Sequence, residues 1–303
     1  MKEKLVVFGG GGMLGKALAP YIVEYELYSP RSFEVDLLNE DVVYDYLNHI
    51  KPDKVINISG KTAGLLSNIE HPYEYFTDNQ KMSMNVLAAC LNCNVDYLLS
   101  CSSTCAYPDV ATSYPMTEEQ VFEGTPSVGN LGYGIAKRNI IFATNFANQE
   151  HNKKYGVIIP SNLYGPHDRH YGSPSAHYVT NLIYNLILNP DCVTVGGSGK
   201  PMRQFTYVQD VARAISLMTA HNDDSVLNCA SPENMSIYQI AQEAIKSNNL
   251  HHTIALNPNF PDGQFRKDVC SEKLIEKYNF SFTGFEQGIK ETYEWYKASK
   301  EHY

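Results

Sequence analysis

No hydrophobic run in this 303-residue chain is longer than a strand requires, so nothing in it is expected to span a membrane. Positive charge is scarce. The 24 lysines and arginines stand against 33 aspartates and glutamates, leaving a net charge of −9. That balance argues against nucleic acid or an anionic membrane as a partner, and an anionic ligand would have to be held by local donors. The amino terminus, MKEKLVVFGG, lacks signal-peptide anatomy, because its apolar run is short and closes in glycines. A disulfide framework is missing as well: seven cysteines is an odd count and their spacing fits none. Free thiols in a reducing cytoplasm are therefore expected. Cys90, Cys93, Cys101 and Cys105 are close in sequence, but the first two sit in a helical pattern and Cys101 in a strand pattern. That arrangement suits zinc poorly. No internal repeat or low-complexity tract is visible.

What the chain has is alternation. KLVVFG, YELYS, KVINIS, DYLLSCSS and YGVIIPSN read as strands. Between them lie the helical segments MLGKALAPYIVEY, NEDVVYDYLNHI, PYEYFTDNQKMSMNVLAACLN and GIAKRNIIFATNFANQE. Such alternation predicts an α/β fold, a doubly wound parallel sheet covered on both faces. After residue 165 the pattern loosens. GPHDRHYGSPSAH and NPNFPDGQFRK read as loops, and GGSGKPMRQF as a connector. Helices are expected over YVTNLIYNLIL, QDVARAISLMTA, SIYQIAQEAIKS and FEQGIKETYEWYKASK, with a strand at SVLNCA. The expected division is a dinucleotide-binding domain over 1–165, to which part of 203–230 returns, and a smaller substrate lobe over 166–303.

Glycines follow the first strand. Gly9, Gly12 and Gly15 fit one dinucleotide-binding spacing; Gly10, Gly12 and Gly15 fit the other. Either lets a pyrophosphate approach the backbone at the start of the next helix. An acidic residue ending the second strand would select NAD, and an arginine would accommodate the 2′-phosphate of NADP. Ser29 and Arg31 occupy that region, with Glu26 too early in the strand, which favours NADPH.

Tyrosine stands four residues before lysine at Tyr133–Lys137, Tyr293–Lys297 and Tyr296–Lys300. In a helix this spacing stacks the two side chains on one face. Only the first pair follows a strand ending in hydroxyls, LLSCSSTCAYP, at the sheet edge where ligands bind. The other two belong to the last amphipathic helix and are expected to be coincidental.

At this point the residues match a family. GGGGMLG, SSTCAYP, PMTEE, YGIAK, PSNLYGPHD, SAHYV, GSGKPMRQF and PDGQFRK run almost end to end through the chain. Together they resemble the extended short-chain dehydrogenases/reductases and, within them, the GDP-L-fucose synthases. The resemblance implies that NADPH reduces a C4 ketone on a GDP-4-keto-6-deoxy sugar while Tyr133 protonates the developing alkoxide. Ser103, or its neighbours Ser102 and Thr104, would hydrogen-bond the same oxygen. Lys137 would hold the nicotinamide ribose and lower the phenol from its ordinary pKa near 10. It also implies that Cys105 and His177 invert C3 and C5 as base and acid on opposite faces. Met13, Leu14, Arg31, Asp36, Pro160, Asn162, Leu163 and His177 would join the glycines and Lys137 around the cofactor. Arg203, Asp262, Arg266 and Lys267 would bind the nucleotide end of the substrate, with Asn185 nearby. A homodimer through the helices containing residues 73–93 and 133–150 is implied too.

The same residues admit rival readings. The related 4,6-dehydratases carry Asp-Glu after the loop threonine, whereas Thr104 here precedes Cys105 and Ala106. His167, Asp168, His170 and His177 resemble a metal cluster, but hydride transfer needs no metal and none is expected. Two family positions differ: Gly196 replaces a tryptophan before GSG, and Asn185 replaces an arginine. A pocket without that aromatic and that cation would accept a different shape. A larger sugar, such as a GDP-4-keto-6-deoxy-heptose, or C4 reduction without epimerisation, is the alternative within enzymes. A non-catalytic NADP-binding module is the alternative of another class.

Overall fold

The computed structural model describes residues 2–62, 64–168, 171, 176–189 and 191–299. In chain order the first half runs β1 (Lys4–Phe8), α1 (Met13–Leu18), β2 (Glu26–Tyr28), α2 (Glu40–Ile50), β3 (Lys54–Asn57), α3 (Leu65–Glu70), α4 (Pro72–Asn92), β4 (Tyr97–Cys101), α5 (Leu131–His151) and β5 (Gly156–Pro160). There follow β6 (Asn162–Tyr164), α6 (Tyr178–Leu188), β7 (Cys192–Gly196), β8 (Met202–Tyr207), α7 (Val208–Ala220) and β9 (Val226–Cys229). The chain closes with β10 (Asn234–Ser236), α8 (Ile237–Ser247), β11 (Thr253–Asn257), α9 (Glu272–Tyr278) and α10 (Phe285–Ser299).

Six strands form one parallel sheet in the order β2-β1-β3-β4-β5-β9. Leu5 lies opposite Leu27 and Lys54, Val55 opposite Leu98, Ser100 opposite Val157, and Ile159 opposite Asn228. Its inner strands are continuous apolar runs because successive residues enter opposite layers. Val6, Phe8, Val55, Leu98, Val157 and Ile159 join Val43 and Leu47 of α2, Val86 of α4 and Ile140 of α5 in one core. Leu5, Val7, Ile56, Leu99 and Ile158 pack on the other face with Leu14 and Leu18 of α1 and Val211 and Ile215 of α7. Each such side chain stabilises the fold by roughly 1.5–3 kcal/mol on burial. This is the doubly wound α/β fold expected from the sequence. The chain winds outward from β1 to β2 and then returns past β1 to β3, so the crevice opens between β1 and β3.

The second half holds a separate core of Leu182, Ile183, Val195, Phe205, Ile240 and Ile289, among others. It contains a three-stranded sheet, β10-β8-β6, and a two-stranded one, β11-β7. The GGSGKPMRQF segment departs from the connector expected of it, because its second half is β8, paired on both sides. The helix expected over MLGKALAPYIVEY ends at Leu18 and passes into a single tight turn over Ala19–Tyr21. Pro20 lacks the N–H needed to continue an α-helix. Local capping explains other ends: the Asn39 side chain accepts from the Val42 N–H at the start of α2, and Ser236 with Gln239 forms a capping box on α8. Among the described residues no helix is long and apolar enough to cross a membrane.

Candidate active site

The parallel strands present their carboxyl ends along one edge, and the expected residues gather there. Gly9 follows β1 with φ +90°, and a Cβ on it would come within 2.8 Å of the Ser59 nitrogen after β3. A Cβ on Gly15 would lie 2.3 Å from the Gly10 Cα. Only glycine fits either place, and the Gly12 N–H donates to the Gly9 carbonyl at 3.1 Å, so the tight turn begins at Gly9. Of the two spacings, the conformation therefore favours Gly9, Gly12 and Gly15. Met13 and Leu14 open α1 directly behind this loop.

Arg31 lies over the same loop, with its Nη1 2.3 Å from where a Gly11 Cβ would stand. Its backbone N–H donates to Glu34 at 2.6 Å, which fixes the turn after β2. A cradle of backbone and one arginine fits a dinucleotide carrying a 2′-phosphate. Asp36 is exposed and accepts from the Leu38 N–H at 3.0 Å, bracing the following turn. Pro160 ends β5 and Asn162 and Leu163 lie in β6, with Asn162 donating to the Gln204 carbonyl at 3.0 Å.

Tyr133 is the third residue of α5, and Lys137 follows one turn later. The Lys137 Nζ is 5.8 Å from the Tyr133 ring centroid. It donates to the Cys101 carbonyl at 3.0 Å and the Ser59 carbonyl at 3.4 Å, which ties α5 to the ends of β3 and β4. The three candidate hydroxyls separate here. Ser102 donates to the Lys137 carbonyl at 2.7 Å, and Thr104 is buried. Ser103 caps the short turn over Thr104–Ala106, accepts from the Cys105 N–H at 3.2 Å and hydrogen-bonds the Tyr133 phenol.

The expectation that Lys137 lowers the phenol is corrected. Burial pushes the Tyr133 phenol up, the neighbouring Cys105 and Cys101 thiols push it further, and the Ser103 hydrogen bond opposes them only in part. Burial also lowers the Lys137 ammonium. The phenol is therefore held protonated across the neutral range.

Cys105 has the opposite character. Burial raises its thiol, but the charge and hydrogen bond of Lys267, the Ser103 hydroxyl and the Arg203 charge outweigh it, and the net direction is down. The Lys267 Nζ donates to the Cys105 Sγ at 3.0 Å and the Asn130 Nδ2 donates at 2.8 Å. Lys267, expected at the nucleotide end of a substrate, reaches the thiol in this structure. His177 stands at the N-terminus of α6, with its Nδ1 3.4 Å from the Asp168 Oδ2, and that same oxygen accepts from Thr180 at 2.7 Å.

The remaining expected residues are dispersed around the second lobe. Burial lowers the Arg203 guanidinium, which donates to the Met202 carbonyl at 2.8 Å and lies near the Gly263 backbone. Arg266 is braced by Asp268 through two bonds, 2.6 and 2.9 Å, and stacks on Tyr114. Asp262 accepts from the Ser198 N–H at 2.6 Å and the Ser198 hydroxyl at 2.8 Å, pinning the glycine turn after β7. Asn185 is on an exposed face of α6, donating to the Asn181 carbonyl at 2.8 Å. Gly196 lies against the Phe260 ring, which a Cβ would meet at 2.9 Å.

Three contributors escaped sequence reasoning. Asn130 stands one turn before Tyr133, a spacing that could have marked it. Asp168 positions His177, and Tyr296 supports it, because the Asp168 N–H donates to the Tyr296 hydroxyl at 2.9 Å. Lys297 lies 5.7 Å from the Tyr293 centroid, nearly the distance in the Tyr133 pair, yet α10 offers no strand-end hydroxyl or glycine loop. Lys300 and His170 lie outside the described residues. Among the described residues no three metal-ligating side chains are placed to share an ion. A cavity of about 650 Å³ at the start of β9, bordered by Glu118, Lys273 and Lys277, contains none of the expected site residues.

Residues 5–230 match the NAD dependent epimerase/dehydratase family. The chain is 32% identical over 308 residues to a GDP-L-fucose synthase of Dictyostelium discoideum, covering 97% of this chain and 95% of the relative. It superposes on a GDP-L-fucose synthetase from Naegleria fowleri bound to NADP with a TM-score of 0.87 at 30% identity, covering 99% of this chain and 94% of that one. A GDP-6-OMe-4-keto-L-xylo-heptose reductase from C. jejuni shares the fold at a TM-score of 0.91 and 19% identity, covering 98% of each.

Proposed function

We infer the reaction from a settled premise: the chain belongs to the NAD dependent epimerase/dehydratase family and, within it, to the GDP-L-fucose synthases. It reduces the C4 ketone of a GDP-4-keto-6-deoxy sugar with NADPH and inverts C3 and C5. One observation carries this reading. A proton-donating phenol, Tyr133, and a thiol lowered in pKa, Cys105, share the Ser103 hydroxyl at one strand end. A ketone acidifies the hydrogens on its neighbouring carbons, so both groups can serve one substrate.

Bound NADPH supplies the hydride. Tyr133 gives its proton to the C4 oxygen, and Ser103 donates to the same oxygen. Two of the three donors on the Lys137 ammonium are committed to carbonyls, leaving one for a ribose hydroxyl. The glycine loop and Arg31 hold the phosphates. In the epimerisation the Cys105 thiolate takes the carbon-bound proton, becoming S–H, and the electron pair moves onto the ketone oxygen. His177, oriented by Asp168, returns a proton to the opposite face.

Residues 1–165 with part of 203–230 hold the dinucleotide, and 166–303 mainly hold the sugar nucleotide. Arg203 is the arginine best placed for the diphosphate, since Arg266 is engaged by Asp268. The enzyme works in the cytoplasm as a homodimer joined through α4 and α5, whose outer faces expose Tyr73 and Phe146. NADPH consumed in step with GDP-4-keto-6-deoxymannose supports the reading, and absence of turnover with NADPH bound contradicts it for this sugar. Gly196 and Asn185 favour a second substrate, a larger GDP-4-keto sugar, which would then give the higher kcat/KM.

A further inference from the structure

We propose that Lys267 is a positioning residue that holds Cys105 as a thiolate. The inference deepens the reading above and rests on it for the identity of the reaction. Its geometry stands independently. An ammonium can only donate, and the Lys267 Nζ lies 3.0 Å from the Cys105 Sγ. A second donor, the Asn130 Nδ2, reaches the same sulfur at 2.8 Å. Two donors converging on one sulfur require an acceptor, and a thiolate accepts far better than a neutral thiol. Lys267 is 7% exposed, so its charge is little screened. Arg203 adds a second positive charge to the same surroundings.

The arrangement also separates the two proton tasks. Thiolate and phenol stand side by side, and a negative sulfur keeps the phenol protonated. Cys105 is then ready to accept a proton while Tyr133 is ready to give one. When the thiolate takes the carbon-bound proton, it becomes S–H and the negative charge passes to the substrate oxygen. The role of Lys267 is therefore exerted through Cys105, in contrast to a direct role on the substrate phosphates.

The test measures iodoacetamide alkylation of Cys105, read by peptide mass spectrometry, across pH in wild type, Lys267→Met and Lys267→Arg. NADPH binding reports folding. The proposal expects a wild-type midpoint below that of an ordinary thiol. In Lys267→Met the midpoint rises and alkylation at neutral pH slows by about tenfold per pH unit of the rise. Lys267→Arg retains the wild-type profile. Superimposable profiles for wild type and Lys267→Met, with only the KM for the sugar nucleotide raised, would overturn it. If Lys267→Met does not bind NADPH, Asn130→Ala is measured in the same way, and an unmoved midpoint there counts against the proposal. The titration uses no sugar, so it can fail while the assigned reaction stands, and it can succeed if the sugar is a different one.

Discussion

The Ser102 hydroxyl donates to the Lys137 carbonyl at 2.7 Å, fastening the end of β4 to the helix that carries the tyrosine. Ser103, the next residue, is thereby left to meet the phenol. Tyr133→Phe is expected to lower kcat for reduction by roughly 10²–10⁴-fold, the usual contribution of a positioned acid, with NADPH affinity unchanged. Ser103→Ala should cost less, because it removes a donor and leaves the acid. Steady-state kinetics with a cofactor titration checks both, and full activity in Tyr133→Phe would remove the phenol from the mechanism.

Gly134 lets α5 approach the Cys105 loop. A Cβ there would stand 2.4 Å from the Cys105 carbonyl and 3.0 Å from Pro126. Gly134→Ala is expected to displace Cys105 and to destabilise the protein by about 1–3 kcal/mol, as overpacking does. Denaturant unfolding measures the second effect. Epimerase activity should fall more than C4 reduction, since the thiol moves directly.

Arg31 is proposed to select the cofactor. Arg31→Ala should raise KM for NADPH by tenfold or more, about 1.4 kcal/mol per factor of ten, with little change for NADH. Equal losses with both cofactors would place Arg31 outside the 2′-phosphate site.

The two proton tasks should separate with pH. Cys105 is shifted down, so deuterium exchange at C3 and C5 is full above its folded value and is lost as pH falls through it. Tyr133 is shifted up by burial, so reduction should persist well above neutrality before the acid is lost. Asp168→Asn should reduce exchange without moving the acid-side limb, because it disturbs the orientation of His177 and leaves the thiol alone.

The main sheet was legible because its strands are continuous apolar runs and its first turn is dense in glycine. Tyr133, Ser103 and Cys105 were legible for a related reason: they cluster in sequence around one strand end and one helix start. The helices α6, α8 and α10 of the second lobe were legible from their periodicity, but its strands were not. β6 and β10 are three-residue strands, NLY and NMS, without an apolar run to announce them. β8 begins with Met202, Arg203 and Gln204, which look like the polar end of a connector. Lys267 meets Cys105 across 162 residues of chain, a contact that no local pattern encodes. The spacing of Tyr133 and Lys137 does not encode the direction of the phenol's shift, since burial and the neighbouring thiols outweigh a lysine committed to carbonyls.

On this reading one site both epimerises and reduces a GDP-4-keto sugar. That dual activity is tested most directly by NMR of the product formed from GDP-4-keto-6-deoxymannose and NADPH in heavy water. Deuterium is expected at C3 and C5 in a product of fucose configuration. A product reduced at C4 with no deuterium at either carbon would contradict it.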